Sequence, residues 1–433
     1  MLKKSCRSSI ASTYWVWFLG AFFFFVDYVL RVSPSILTPT LMQQFQTSAF
    51  TIGGFSAFFY YAYISMQIPV GILVDRFGPA RLLMLSAFIC AGSTYLFASM
   101  TNIPSGLISR LLMGFGASFA FVGTLKLVSL RFQANQFAFF AGLTQAMGML
   151  GAMVGQGPMG YIYQSLGWRT SLYGLSILFI VLAFLMIIFL DDKPANSLHR
   201  SSDSLDDPNH TSPSLPQWDS LKTILTDRQI WLNCLFIGLL YAPSACFGEQ
   251  WGASFLSLSQ GISIEAAGQE TGMMFIGLAI GCPCLGWLSD RLGRRLFVMR
   301  LSAAACFILL ISILYASSIP GMPILTPKCY TILLFIYGFF NGGIVISYAL
   351  ASETSPPKLT GITLGIVNMA SVIVGALLIP FVGFILDCLW EGQISNSLRL
   401  FELKDYQLAF APLPLGFLIA LAISVFQREP KRS

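Results

Sequence analysis

About twelve stretches of this chain are each long and apolar enough to cross a bilayer, and no other feature limits its fold as strongly. A crossing takes roughly 20 apolar residues in a helix. Lipid offers no water to backbone N–H and C=O groups, so segments of this length cross as helices that satisfy themselves. The first six fall near 14–38, 51–73, 81–100, 104–128, 138–162 and 170–190. The second six fall near 230–257, 266–288, 296–318, 328–350, 361–386 and 407–427. Composition agrees: 55% of residues are hydrophobic and 10% charged, with a mean hydropathy of +0.73. Soluble domains carry about a quarter charged residues, and a soluble chain could not bury this much apolar surface.

The expected fold is therefore all-α and integral to a membrane, with twelve transmembrane helices in two six-helix halves. Residues 1–13 form a cytoplasmic tail, 14–190 the N-terminal bundle, 191–229 a polar linker rich in Ser, Asp and Pro, 230–427 the C-terminal bundle and 428–433 a second tail. The basic start (Lys3, Lys4, Arg7) runs into an apolar stretch too long for a signal peptide, and it reads as the first span. Lys and Arg gather in alternate gaps, among them Arg76, Arg81, Arg131, Arg291, Arg294 and Arg295. That asymmetry places both termini and the linker in the cytoplasm. The net charge of +6 then reflects topology, and nucleic-acid binding is not expected. Both histidines, His199 and His210, fall in the linker, so no span offers an imidazole to a metal. Neither a phosphate-binding G-x-x-x-x-G-K-[ST] loop nor an organised nucleophile–base pair is present. An ATP-driven pump and an enzyme are set aside, and no cofactor is expected.

One motif occurs twice. Gly71-Ile72-Leu73-Val74-Asp75-Arg76-Phe77-Gly78 and Gly286-Trp287-Leu288-Ser289-Asp290-Arg291-Leu292-Gly293 both read G-x-L-x-D-R-x-G. Each lies in a short charged gap, and they stand about half the chain apart. Gly114-Phe115-Gly116 in span four parallels Gly338-Phe339-Phe340 in span ten, and Gly142 to Gln145 parallels Gly365 to Asn368. Six spans followed by six similar ones imply a parallel repeat about an axis along the membrane normal, an architecture of secondary transporters.

With these motifs the chain closely resembles the major facilitator superfamily over nearly its whole length. G-x-L-x-D-R-x-G between spans two and three, its copy between spans eight and nine, and Arg110-x-x-x-Gly114-x-Gly116 in span four carry the resemblance. The first copy departs in having Pro79 and Ala80 before Arg81, and the Gly-Pro pattern of span five only loosely resembles that of drug antiporters. Three stretches, Arg31 to Ser35, Met66 to Gly71 and Glu249 to Gly252, resemble the branch of lysosomal dipeptide transporters and their bacterial relatives. The resemblance implies that Gly71, Asp75, Arg76 and Gly78, with Gly286, Asp290, Arg291 and Gly293, form a conformational gate. Asp75 would dock on the start of span eleven near Thr360 and Gly361, and Asp290 on the start of span five.

Ionisable residues inside a span are costly and mark partners or cavities; the candidates are Asp27, Arg31, Arg110, Lys126, Glu249, Glu270 and Arg300. Asp27 and Arg31 are four apart, on one face of span one. They form either an intrahelical ion pair or a substrate and proton site. Arg110 either handles charge in the cavity or bonds to backbone carbonyls. Glu249 sits beside Trp251 in span seven. Basic candidates lie in the first half and the clearest acids in the second, which suits a zwitterion. Tyr61, from the cluster Phe59, Tyr60, Tyr61 and Tyr63, and Trp251 are the aromatic candidates. The expected function is alternating-access transport of a small polar solute, with protons as a candidate partner, by a monomer in a bacterial inner membrane. A dipeptide or amino acid is the first expectation, an organic anion such as a sugar acid the second and a drug or siderophore the third. A solute receptor that moves nothing is the competing class.

Overall fold

The computed structural model describes residues 2–132, 134–190, 226–316, 326–354, 360–395 and 398–429; the side chains of 2–12, 75, 134–139, 360–362, 395 and 398 are outside that description. Residues 191–225 of the linker, with both histidines, lie outside the described residues.

The N-terminal half contains α1 (Leu2–Phe45), α2 (Ala49–Phe77), α3 (Pro79–Ala98), α4 (Ile103–Arg131), α5 (Ala134–Gln156), α6 (Pro158–Leu166) and α7 (Trp168–Phe189). The C-terminal half contains α8 (Arg228–Pro243), a π-helix (Ser244–Trp251), α9 (Gly252–Gln260), α10 (Ile264–Leu292), α11 (Arg295–Tyr315), α12 (Pro327–Asn341), α13 (Ile344–Thr354) and α14 (Thr360–Leu389). A two-residue ladder, β1 (Ile394–Ser395) and β2 (Leu398–Arg399), precedes α15 (Leu403–Ala409) and α16 (Pro412–Phe426). Among the described residues eleven helical segments are long and apolar enough to span a membrane. The remaining crossing is α5 continued by α6, which runs beside both α1 and α10.

The packing repeats as the sequence does. In the first half α1 packs on α5, α2 on α4 and α3 on both α4 and α7. In the second, α8 packs on α14, α10 on α12 and α11 on both α12 and α16. Across the halves, α2 meets α14 and α5 meets α10. Exchanging the halves maps each of these contacts onto its counterpart, so the duplicated sequence folds as a pseudo-two-fold pair.

The repeated glycines explain one of these contacts. A Cβ at Gly114 would lie 2.0 Å from the Phe59 carbonyl oxygen, and one at Gly338 would lie 1.8 Å from that of Met274. Both helix pairs, α4 on α2 and α12 on α10, touch backbone to backbone through a residue that lacks a side chain. The motif copies share local chemistry too. Ser48 caps the start of α2 and Ser263 that of α10, while α2 and α10 end at Gly78 and Gly293 with φ of 84° and 66°. Left-handed backbone at that point favours glycine, so the last motif position serves the turn in both copies.

The halves are joined unevenly. Among the described residues, Asn368 donates to Gln67 across the halves at 3.0 Å, and further cross-half hydrogen bonds lie toward the end opposite the two motifs. There both Asp387 oxygens, near the close of α14, accept from the Ala49 and Phe50 N–H groups of α2 at 2.9 and 2.8 Å. Arg399 pairs with the same carboxylate at 2.9 Å. Nearby, a Cβ on Gly383 would sit 2.5 Å from the Ala49 oxygen and one on Gly53 2.8 Å from Pro380. Toward the motif end, a Cβ on Gly71, Gly142 or Gly365 would meet nothing within 4 Å. Among the described residues the interface is closed at the far end, and these three motif-end glycines face open space.

That state bears on the gate. The Asp75 side chain lies outside the described residues, as do those of Thr360 and Gly361. Arg76 and Arg291 lie against Phe77 and Trp287 of their own helices at 5.3 and 5.2 Å. Asp290 pairs with Arg295 at 2.5 Å, and Arg295 also holds Glu353 at 2.6 Å and Ser289 at 3.1 Å. All four belong to the C-terminal half. The side chains at the start of α5, where the gate expectation places Asp290, lie outside the described residues.

Two outcomes are expected. Gly114→Val and Gly338→Val should each lose more than about 3 kcal/mol of stability through overpacking against backbone. Gly92→Val, where nothing lies within 4 Å, should fold normally. Thermal melts and gel filtration of the three purified variants check this. Asp387→Ala should weaken the far-end seal by about 1.5–3 kcal/mol, the worth of hydrogen bonds to a charged acceptor. Faster amide exchange at the start of α2 would register it.

Candidate functional site

The site begins with a proline. Pro34 in α1 has no N–H to give the Leu30 carbonyl one turn back. That oxygen accepts instead from Ser33 Oγ at 2.7 Å and from Arg110 Nη1 at 3.1 Å. Arg110, fully buried on α4, also donates from Nε to the Phe55 carbonyl at 3.0 Å and from Nη2 to the Arg31 carbonyl at 3.0 Å. One guanidinium thus ties α1, α2 and α4 together within their spans. Of the two roles expected for Arg110, bonding to carbonyls is the one seen.

Arg31 is treated differently. Its side chain is buried, yet among the described residues its Nε and Nη2 have no hydrogen-bond partner. Four rings surround its guanidinium centre: Tyr28 at 4.3 Å, Tyr63 at 4.8 Å, Phe59 at 5.2 Å and Tyr60 at 5.5 Å. Ring faces stabilise a cation but leave its N–H groups unsatisfied. Asp27, one turn earlier, is fully buried, and neither of its oxygens has a hydrogen-bond partner among the described residues. The intrahelical Asp27–Arg31 pair is absent among the described residues, although Asp27 lies within coulombic range of Arg31 and Arg110.

Glu249 faces this cage from the other half. It sits in the π-helix, whose wider turn follows Pro243 at the end of α8. Such segments displace side chains from α-helical register and often occur at functional sites. Tyr241 donates to Glu249 Oε1 at 2.7 Å, and Tyr60 donates to Oε2 from across the interface. The neighbouring residues also bridge the halves. Gln250 accepts from Ser56 and donates to Thr38 Oγ1 at 3.2 Å, and the Gly248 carbonyl accepts from Gln156 at 2.6 Å.

Arg31, Arg110, Asp27 and Glu249 thus converge. Tyr61 does not join them. It is 41% exposed and lies beside Phe58 and Pro380 on the outer surface, because adjacent helical residues point about 100° apart and Tyr60 takes the inward direction. Trp251 is fully buried, with Nε1 donating to the Ile379 carbonyl at 3.0 Å, so it braces α14 within its own half. Arg300 bonds to Ser424 and Glu270 to Gln260, both away from the cage. Sequence reasoning missed Tyr28 and Tyr241. Tyr28 is three residues before Arg31 and so shares its face; Tyr241 gave no comparable signal, because its place depends on the π-helix.

The family model of the Major Facilitator Superfamily matches residues 16–380. A probable sulfoacetate transporter of Cupriavidus necator, SauU, is 23% identical over 289 residues, covering 65% of this chain and 66% of that protein. The chain thus spans just under two thirds of that relative's length. A probable galactarate/D-glucarate transporter of Bacillus subtilis, GudP, is 22% identical over 408 residues and 88% of each chain. Among solved structures, a bacterial homologue of the human lysosomal transporter Spinster, inward-facing and unoccupied, aligns with a TM-score of 0.76 at 13% identity, covering 96% of each chain. At that identity the likeness concerns the fold alone. A family match over most of the chain, on a duplicated twelve-span fold, makes this protein a member of the Major Facilitator Superfamily of membrane transporters.

Proposed function

We propose that this transporter carries a small organic anion, a sugar acid or a short sulfonated acid, with its anionic group on Arg31. The observation that carries the reading is a buried guanidinium with Nε and Nη2 unpartnered among the described residues. A planar fork of N–H donors suits carboxylate and sulfonate oxygens. Arg110 does not compete, since carbonyls occupy it. The relatives named above support the same class, for their names specify sulfoacetate and galactarate or D-glucarate.

The expectation of a dipeptide gives way to its alternative. A zwitterion would need Glu249 for its ammonium, but tyrosine hydroxyls already hold both Glu249 oxygens. The relatives reported above are named for acids, not dipeptides. Asp27, buried beside the cation and unpaired among the described residues, is the proton carrier in this reading: protonated, it would leave Arg31 free for the anion. In this reading the membrane is a bacterial inner membrane, the motif end faces the cytoplasm, which the Lys and Arg bias of the gaps supports, and the far-end contacts fit an inward-open state.

Arg31→Ala should cost about 2–5 kcal/mol in anion binding, as expected for loss of a buried charged partner, with the protein still folded. Arg110→Ala should instead lower the melting temperature, because it strips the bonds that join three helices. Calorimetry with D-glucarate, galactarate and sulfoacetate, beside melts of both variants, tests the pair. Wild-type binding by Arg31→Ala, or selective binding of dipeptides, would overturn the reading. Asp27→Asn should abolish proton-driven accumulation in proteoliposomes and keep solute exchange; accumulation at the wild-type level would remove Asp27 from the mechanism.

A further inference from the structure

We infer that Tyr60 is a positioning residue that couples Arg31 to closure of the far end, because one side chain touches both. Its ring lies 5.5 Å from the Arg31 guanidinium centre, and its hydroxyl donates to Glu249 in the other half. The coupling builds on Arg31 as the anion site proposed above, but the cross-half bond stands apart from the solute.

The geometry leaves Tyr60 little freedom. It is 1% exposed, and its ring packs edge-on against Phe59 at 5.7 Å. A phenol oxygen lies on the ring's own axis, so a ring flip does not move it. The hydroxyl leaves Glu249 only if the whole side chain, or α2 itself, shifts. Alternating access requires the halves to part at the far end, which separates α2 from the π-helix and breaks this bond. Glu249 then keeps Tyr241, a donor from its own half. The carboxylate is not stranded, and the equilibrium stays within reach of a ligand. An anion on Arg31 changes what presses on the Tyr60 ring, and the Glu249 bond in turn fixes where that ring stands. Coupling of this kind is reciprocal. Ser56–Gln250 and Gln156–Gly248 join the same π-helix to the first half without touching Arg31, so they seal the interface without sensing the site.

The test compares wild type, Tyr60→Phe, Arg31→Lys and the double variant by amide hydrogen exchange in lipid nanodiscs without solute. Tyr60→Phe keeps the ring and loses the donor; Arg31→Lys keeps the charge beside Asp27 and loses the planar contact. Exchange at Ala49–Ser56 and Ser244–Trp251 should rise about 10-fold or more in Tyr60→Phe, as for loss of a hydrogen bond to a charged group. Arg31→Lys should alter the same segments in the wild-type background and no longer do so once Tyr60 is Phe. Unchanged exchange in Tyr60→Phe, or the same Arg31→Lys effect in both backgrounds, overturns the proposal. In proteoliposomes with D-glucarate, Tyr60→Phe should lower kcat about 10-fold while the calorimetric Kd stays within about three-fold; a Kd loss matching the kcat loss would assign Tyr60 to binding instead. Failure of wild type to bind D-glucarate, galactarate or sulfoacetate would count against the Arg31 anion site, whereas the solute-free exchange cycle decides the coupling.

Discussion

Two guanidinium groups lie buried within membrane-spanning helices, and the rest of the site depends on how differently they are satisfied. Arg110 gives its N–H groups to carbonyls of α1 and α2, one of them freed by Pro34. Arg31 is ringed by aromatic faces, and its Nε and Nη2 have no hydrogen-bond partner among the described residues. Buried N–H groups without acceptors are expensive, and in the proposed reading a ligand completes them. Arg110 also fixes the backbone from which Arg31 projects, through the Arg31 carbonyl itself. In the proposed reading the structural and the binding arginine are one assembly, in which the first sets the stage for the second.

The interface between halves shows how such a site can be exposed to one side at a time. The far end is held by backbone contacts at glycines, by Asp387 on the start of α2 and by the three π-helix residues Gly248, Glu249 and Gln250. Asp387 mirrors the role that the family resemblance gives Asp75: each is an acid near one end of the α2–α14 pair, placed to meet the start of the other helix. A carboxylate at a helix N-terminus gains up to about 2 kcal/mol when partly buried, and a few such contacts suffice to set state populations.

Much of this was legible in the sequence for identifiable reasons. Span length and the two D-R-x-G motifs depend on local composition, so the twelve-helix plan and its duplication could be read directly. The pairing of Gly114 with Gly338 was visible as a repeat, and its cause, backbone contact with α2 and α10, is tertiary. The convergence of Asp27, Arg31, Arg110 and Glu249 followed from the cost of charge in lipid. Their division of labour did not, because it turns on which acceptors the fold brings near. Tyr60 and Tyr61 are equivalent in sequence and opposite in space, and only the rotation of α2 separates them. The π-helix, which aims Glu249 and its neighbours, left no mark beyond Pro243.

The central claim is that Arg31 is the anion-binding group of a pathway between two halves. A structure determined with D-glucarate, galactarate or sulfoacetate bound tests it most directly. The account predicts an acidic group of the solute within about 3 Å of Arg31 Nε or Nη2, inside the ring cage and with Arg110 still on its carbonyls. A solute held elsewhere, with Arg31 unchanged among its rings, would contradict it.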